Sequence, residues 1–560
     1  MEVHFLDPGA LERTARLMCK ARQILAYGGL DGIVRRPLYC GEDDVFPQFA
    51  ERAQGYELFD TMGKSYVDWV NGWGPVLLGY RRPEVEEAIK SQLAAGPTLS
   101  LMHPIEVEVA SILTEMIPCA EMVAFGKNGS DVLTAAVRVS RTVTKRQVIL
   151  QHGMHGFHDW YMCLHPQVRG IPEVLRSLVH SFPYNDLDSL EALLERFEGN
   201  VAAVVMEPVR HILPSSGYLE RVREITKKNG ALLVFDEIVT AFRLANGGAQ
   251  EVYGVVPDLA CIGKSMANGM PLSALVGKKE YMQHLPSVGF GMTFRGETLS
   301  LAAARAVLRI LLEVPVAQHL SRIGHDIREE FARACKKARI RCALHGPPSR
   351  LSFVFQDAGE LSREALRDLF LQECLKQGVF TNGHLLPSYA HDCTALKRTK
   401  RGFETALRVV AEAIHGKHPA VINPVGGSPY GPRAMISTGF LDTVREEKEG
   451  LFVSGWILLE DRAPDSVEFV SAEGAVCQAR AINRPDIQKV FPNIPGAENS
   501  GYAASLPAAL FGPAGEYDFT LCALVNGRVE FRCRVLCTPR FAPLTGESGF
   551  FWTGDGIIYI

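Results

Sequence analysis

The chain has no run approaching the roughly 18 consecutive apolar residues that a membrane-spanning helix needs. It also has no Cys-x-x-Cys pair, no internal repeat and no low-complexity tract. The N-terminal stretch MEVHFLDPGALERTARLMCK carries an acid at position 2 and no apolar core of a signal peptide, so a cytoplasmic protein is expected. Thirteen cysteines are scattered and odd in number, and several, such as Cys261 and Cys522, sit in apolar runs. That pattern fits reduced, buried thiols rather than a disulfide framework. Cys533 and Cys537 are close, but no matching pair completes a zinc set, and no metal is expected. Charge is nearly balanced, 59 Lys+Arg against 63 Asp+Glu, for a net −4. Nothing electrostatic therefore calls for nucleic acid or an anionic membrane as partner.

What is present is an ordinary globular composition, 47% apolar and 22% charged, over 560 residues. That length predicts two or three domains. Residues 55–70 read as a hairpin around Met62-Gly63-Lys64, and a helix starts near Pro83. From 121 to 277 apolar runs (EMVAFG, QVILQH, VAAVVME, ALLVFDE, LACIG, LSALVG) alternate with helical patterns (SDVLTAAVRVSRTV, LDSLEALLERF, YLERVREITKKNG). Apolar runs separated by helices predict a mostly parallel sheet covered on both faces. Long helices then bracket a smaller α+β region from about 300 to 415. PVGGSPYGPR (424–433) reads as a linker. Short β runs follow, with a hairpin signal at Asn526-Gly527, and predict a β-sandwich. The expected division is 1–70 as an N-terminal segment belonging to a small domain, 71–305 as a large domain, 306–422 as the small α+β domain and 435–560 as the accessory sandwich.

The chemistry gathers around Lys264 in LACIGKSMANGMPLSALVG. A lone lysine after a buried strand is either a snorkelling surface residue or a chemical tool. Its GKS tripeptide is not the end of a phosphate-cradling loop, because that pattern needs glycine where the chain has Asp258. Upstream, Asp236 ends the apolar strand ALLVFDE, where parallel sheets bind ligands; alone it would also serve as a helix cap. Glu207 ends another strand, with strand-end support and cofactor contact as equal readings. Asn128-Gly129-Ser130 opens a helix, and a Gly-containing turn at a helix start is an anion site; Ser130 also suits a simple cap. Strand-end acid, strand-end lysine and helix-start phosphate cradle together describe a pyridoxal phosphate site.

The chain resembles the class III aminotransferases of the fold type I pyridoxal phosphate enzymes, and within them the branch around glutamate-1-semialdehyde aminomutase. The resemblance rests on GWGPVLLGYRRPEVEEAI, KNGSDVLTAAVRVSR, HGMHGFHDW, MEPV, LLVFDEIVTAFR, PDLACIGKSMANGMPLSALVG and TFRGETLSLAAA, and covers about residues 25–415. It implies pyridoxal 5′-phosphate as cofactor, Lys264 as the Schiff-base lysine and Asp236 as the partner of the pyridine nitrogen. Ile238 would pack on one face of the ring, Gly129 and Ser130 would hold the phosphate, and His155 would lie beside the ring. Met154 stands where the family usually places an aromatic, so weaker stacking is expected there. Thr293 matches a threonine that reaches the neighbouring subunit's cofactor, which implies a homodimer with shared sites. Arg35 is either a substrate-carboxylate clamp or a solvated loop arginine, and Trp73 is either a site neighbour or core. Arg243 is expected in a structural ion pair. His158 and His391 are read as substrate neighbours or satisfied histidines.

The expected activity is transfer of an amino group from a small-molecule donor to a keto or aldehyde metabolite, with a sugar or polyol of surface-polysaccharide synthesis as the favoured acceptor. The alternatives are glutamate-1-semialdehyde 2,1-aminomutase and a non-catalytic carbohydrate-binding or scaffold protein.

Overall fold

The computed structural model describes residues 49–415 apart from 166, 167 and 360, a partial helical stretch within 13–26, and strands with some connecting residues between 438 and 559. The expected linker at 424–433, the Asn526-Gly527 turn and Arg35 lie outside the described residues. The chain divides into two compact units, one of residues 1–35 and 45–421, the other of 36–44 and 422–560.

In the first unit, strands β1 (Ala50–Gln54), β2 (Glu57–Asp60) and β3 (Ser65–Asp68) lead into the central sheet. That sheet comprises β4 (Met122–Gly126), β5 (Val148–His152), β6 (Val179–Ser181), β7 (Val201–Met206), β8 (Leu232–Asp236), β9 (Leu259–Ile262) and β10 (Ser273–Gly277). The small α+β region adds β11 (Cys342–His345), β12 (Leu351–Phe355), β13 (Val379–Phe380) and β14 (His384–Leu385). The main helices are α1 (Pro83–Ala95), α2 (Pro104–Met116), α3 (Gly129–Thr144), α4 (Leu187–Arg196), α5 (Tyr218–Lys228), α6 (Thr298–Glu313), α7 (Val316–Ala338), α8 (Arg363–Lys376) and α9 (Cys393–Ile414).

The central sheet runs in the order β4-β10-β9-β8-β7-β5-β6. Neighbours from β9 to β6 are parallel, while β10 is antiparallel to both β4 and β9. Strand β7 shows why its sequence is continuously apolar. Val201, Val204 and Met206 join one buried cluster with residues of α2, α4, α5 and α6, and Ala202, Ala203 and Val205 join another with α3. A strand covered on both faces has no position for a polar side chain. Each such Val or Leu, fully buried, contributes about 1.5–3 kcal/mol. The polar residue therefore comes where the strand ends, as Glu207 does after β7 and Asp236 does on β8.

The predicted hairpin is present: Leu58 pairs with Tyr66 and Phe59 with Ser65. β3 is then extended in parallel by β13, giving the sheet β1-β2-β3-β13, and β11-β12-β14 form a separate three-stranded sheet.

The second unit holds two five-stranded sheets. Phe469 of one meets Tyr502 of the other edge to face at 5.9 Å, and both are buried. The strands flanking the predicted turn, Tyr517–Val525 and Arg528–Cys537, pair antiparallel.

Candidate active site

Lys264 begins a short 3-10 turn just after β9, and its backbone is left-handed at φ 37°. A non-glycine residue there stores about 1–3 kcal/mol and persists only where its surroundings enforce it. Here Ser265, its neighbour, is fully buried and donates to the Gly74 carbonyl at 3.1 Å. Residues 71–74 make a tight turn of positive-φ residues, and a Cβ on Gly74 would lie 3.8 Å from Lys264 Cδ. The Lys264 stem therefore passes under that turn. Trp73, on the same turn, is 39% exposed rather than core.

Asp236 ends β8, the strand beside β9, and is 4% exposed. One oxygen accepts from the Ile238 amide at 3.2 Å, and the other lies 2.8 Å from His155 Nδ1. The fully buried His155 ring places Nε2 3.1 Å from the His152 carbonyl, which can only accept. The ring is thus fixed at both nitrogens, and it anchors the Asp236 carboxylate.

Asn128 caps α3, its amide donating to Asp131 at 2.8 Å, and the Gly129 and Ser130 amides follow at the helix start, where no intrahelical carbonyl is available to them. A Cβ on Gly129 would come within 3.2 Å of Ile238, and one on Gly263 within 3.1 Å. Ile238 therefore lies between the start of α3 and the residue before Lys264. Ser130 Oγ accepts from the Phe157 amide at 3.2 Å, and a Cβ on Gly156 would lie 2.0 Å from it. That contact, at φ 90°, requires glycine.

Glu207 joins the site through Met154 and His155. It accepts the Met154 amide at 3.0 Å, lies 3.0 Å from Arg350 Nη1 and 3.2 Å from Arg210 Nε. Burial pushes its carboxyl up, but Arg350, Arg210 and the Met154 amide outweigh it and hold it at about 2. Met154 itself is 52% exposed. Around Lys264, burial lowers the amine, Arg350 and Arg243 lower it further, and Glu207 and Asp236 oppose them.

Arg243 corrects one expectation. It is 1% exposed and donates to three carbonyls, of Gly74 at 2.9 Å, Pro387 at 2.8 Å and Ser349 at 3.3 Å, with no carboxylate partner among the described residues. Three chain segments converge there, and carbonyls occupy the space a carboxylate would need. Burial, with Arg350 adding to it, pushes its guanidinium down to about 9.

The remaining sequence candidates have surroundings of their own. His158 Nδ1 lies 2.7 Å from Thr134 Oγ1. His391 is buried against Trp69, with ring centroids 4.2 Å apart, and accepts from the Ser388 amide; burial lowers it to about 3. Thr293 is exposed. Asp258, the residue that ruled out a phosphate loop, is buried and paired with Arg223 and Lys278, each at 2.8 Å. Arg350 was not anticipated, because it comes from GPPSR, a turn-like stretch with no signal of its partners.

Residues 39–379 match the family model for aminotransferase class III. The chain belongs to the class III aminotransferases. This aminotransferase is 33% identical over 414 residues, 72% of its own chain and 97% of the relative, to 3-aminobutyryl-CoA aminotransferase of Cloacimonas acidaminovorans (strain Evry). It is 30% identical over 434 residues, 72% of its chain and 99% of the relative, to glutamate-1-semialdehyde 2,1-aminomutase of Methanocaldococcus jannaschii. Among solved structures it matches FumI of Sphingopyxis sp. MTA144, a pyridoxal phosphate form, with TM-score 0.67 and 28% identity, over 73% of this chain and 100% of that one. The aminotransferase is a pyridoxal phosphate enzyme acting on a small-molecule amino donor and acceptor, which sets aside the non-catalytic reading. Its residues fit that cofactor: an amine on a strained turn, a buried carboxylate on the next strand, an apolar side chain between them and a helix start with free amides. Among the described residues no helix is long and apolar enough to cross a membrane, and no cluster suits a metal ion.

Proposed function

We propose that this aminotransferase passes an amino group to a keto or aldehyde metabolite at the site built around Lys264. The observation that carries the reading is Asp236 at the end of β8 with Lys264 just after the adjacent strand β9, the carboxylate anchored by His155 at 2.8 Å. When bound, pyridoxal phosphate supplies an electron sink for cleavage at the substrate's α-carbon. Lys264 Nζ would be its point of attachment. Asp236 would hold a proton on the ring nitrogen, and His155 keeps that carboxylate from turning away. The Gly129 and Ser130 amides and the Ser130 hydroxyl receive the phosphate, with Asn128 capping the same helix. Ile238 supports one ring face. Met154 would lie at the other, on a loop held by the hydrogen bond its backbone amide donates to Glu207.

With the cofactor bound and its amine free, Lys264 would be the base that moves the proton off the α-carbon. Burial, Arg350 and Arg243 lower its proton affinity, against Glu207 and Asp236, and that direction favours the free amine a base must be. Because Arg350, Arg210 and Arg243 outnumber Glu207 and Asp236 beside the site, the favoured substrate carries an anionic group; Arg35 remains a proposed second clamp and Trp73 a proposed substrate neighbour.

A sugar or polyol of surface-polysaccharide synthesis remains the proposed acceptor, supported by analogy between the two-sheet C-terminal unit and modules of carbohydrate-handling proteins. Glutamate-1-semialdehyde aminomutase activity is the second reading, favoured by the 30% identity to such an enzyme. The exposed Thr293 supports a homodimer in which it serves the neighbouring cofactor. A cytoplasmic location and the division at 1–70, 71–305, 306–422 and 435–560 complete the proposal.

Borohydride reduction followed by peptide mapping tests the site. The label is expected on Lys264 and absent in Lys264→Ala. A label elsewhere, or none on saturated protein, overturns the reading. Rapid formation of 5-aminolevulinate from glutamate 1-semialdehyde would decide for the aminomutase.

A further inference from the structure

Two thiols outside the active site lie unusually close. Cys335 is in the last turn of α7, and Cys342 is the first residue of β11. Their sulfurs are 2.8 Å apart, and both are free thiols. That distance is inside ordinary contact and within reach of a covalent S–S bond, about 2.05 Å long. The chain between them is set by its backbone. Arg339 ends α7 in a left-handed conformation at φ 57°, and the Ile340 amide bonds to the Cys335 carbonyl at 3.1 Å. The two cysteines also differ in access: Cys335 is 4% exposed, and Cys342 is partly exposed.

We propose that Cys335 and Cys342 form a disulfide-bonding site, oxidised by low-molecular-weight disulfides of the glutathione class. The partly exposed Cys342 thiolate attacks the external disulfide, forms a mixed disulfide and releases one thiol. The Cys335 thiolate then attacks the Cys342 sulfur, forms the internal bond and releases the second external thiol. Two cysteine thiols lose two protons and two electrons, and one glutathione disulfide becomes two glutathiones. Before oxidation, the hydrogen bond with Cys335 and burial both push the Cys342 thiol up, so thiolate is scarce and the first exchange is slow.

The bond would act at a defined place. α7 packs against the segment that carries Arg350: a Cβ on Gly324 would fall 1.8 Å from the Pro348 carbonyl, and Arg328 donates to the Gly346 carbonyl. Beyond Arg350 the chain enters β12, which pairs with β11, Cys342 opposite Phe355. A link from Cys335 to Cys342 staples the C-terminal end of α7 to that hairpin.

The test uses the full-length, cofactor-loaded protein incubated with glutathione disulfide, alkylated, digested with trypsin and mapped by mass spectrometry. Trypsin cleaves at Lys336, Lys337, Arg339 and Arg341 between the two cysteines, so the bond joins two peptides. The expected product is that pair, lighter by two hydrogens and separated by dithiothreitol. In Cys335→Ser, Cys342 is expected to persist as the glutathione mixed disulfide. In Cys342→Ala, Cys335 is expected to remain an alkylatable thiol. Cys393, exposed at the start of α9, reports that the oxidant has acted. Modified Cys393 alongside wild-type Cys335 and Cys342 both recovered as alkylated thiols would overturn the proposal. So would a stable mixed disulfide on wild-type Cys342, or a bond from either residue to a different cysteine.

Discussion

Replacing Arg350 by Met removes the guanidinium that lies 3.0 Å from Glu207 Oε2 and 3.1 Å from the Val209 carbonyl. At an effective dielectric of about 20, the attraction at that distance is about 5 kcal/mol before desolvation is subtracted. The net effect is visible in Glu207, whose carboxyl stands at about 2 rather than its ordinary 4.5. That difference corresponds to about 3 kcal/mol of folded-state stabilisation. Because the folded value is depressed, the contribution is present above about pH 4.5 and disappears as pH falls toward 2. Without Arg350 the largest lowering influence is gone and the carboxyl rises, so Arg350→Met should begin to unfold in acid at a higher pH than the wild type. At pH 7 it should lose about 2–4 kcal/mol in urea unfolding followed by tryptophan fluorescence, since a buried carboxylate keeps Arg210 as its one ion-pair partner, beside the Met154 amide. Glu207→Gln and the double variant complete a cycle in which the double variant is less destabilised than the sum by about 1–3 kcal/mol. If Arg350→Met unfolds at the wild-type urea concentration and pH, or if the two changes simply add, the pair is not what holds this side of the site.

Three further outcomes are expected. Asp236→Asn should keep the borohydride label on Lys264 but lower kcat about 10²–10³-fold in steady-state assays, because the ring nitrogen loses its charged partner. Gly156→Ala should release cofactor on dialysis at concentrations where the wild type retains it, since the added methyl collides with Ser130 Oγ; full retention would contradict the tight loop. Gly324→Ala should lower Tm by several degrees in calorimetry, as its methyl would strike the Pro348 carbonyl and force α7 away from its neighbour.

The central sheet and half the site were legible in the sequence because burial on two faces writes itself as uninterrupted apolar runs. The first polar residue at the end of such a run, Asp236 on β8, then stands at the sheet's ligand edge. The start of α3 was equally readable from Asn128-Gly129-Ser130. The antiparallel course of β10 was not, since an apolar strand looks the same in either direction. Arg350 was missed because its partner Glu207 is brought to it only by the packing of β12 beside the central sheet, and nothing local marks GPPSR for that role. Arg243 was misread for a related reason: arginine usually implies a carboxylate, and only the converging turns at Gly74, Ser349 and Pro387 reveal three carbonyls instead. The Cys335–Cys342 approach depends on how α7 ends, which spacing does not specify.

The pairing of β3 with β13 has a consequence for synthesis. Val67 finds its neighbour Val379 more than three hundred residues later, and the Gly378 carbonyl accepts the Val67 amide. As the chain leaves the ribosome, every strand of the central sheet emerges before that partner does. One edge of β3 therefore waits, with its amides and carbonyls unpaired, until almost all of this unit has been made. Such an edge is a template for pairing with another chain, so nascent protein stalled short of residue 379 should be the form that chaperones hold longest.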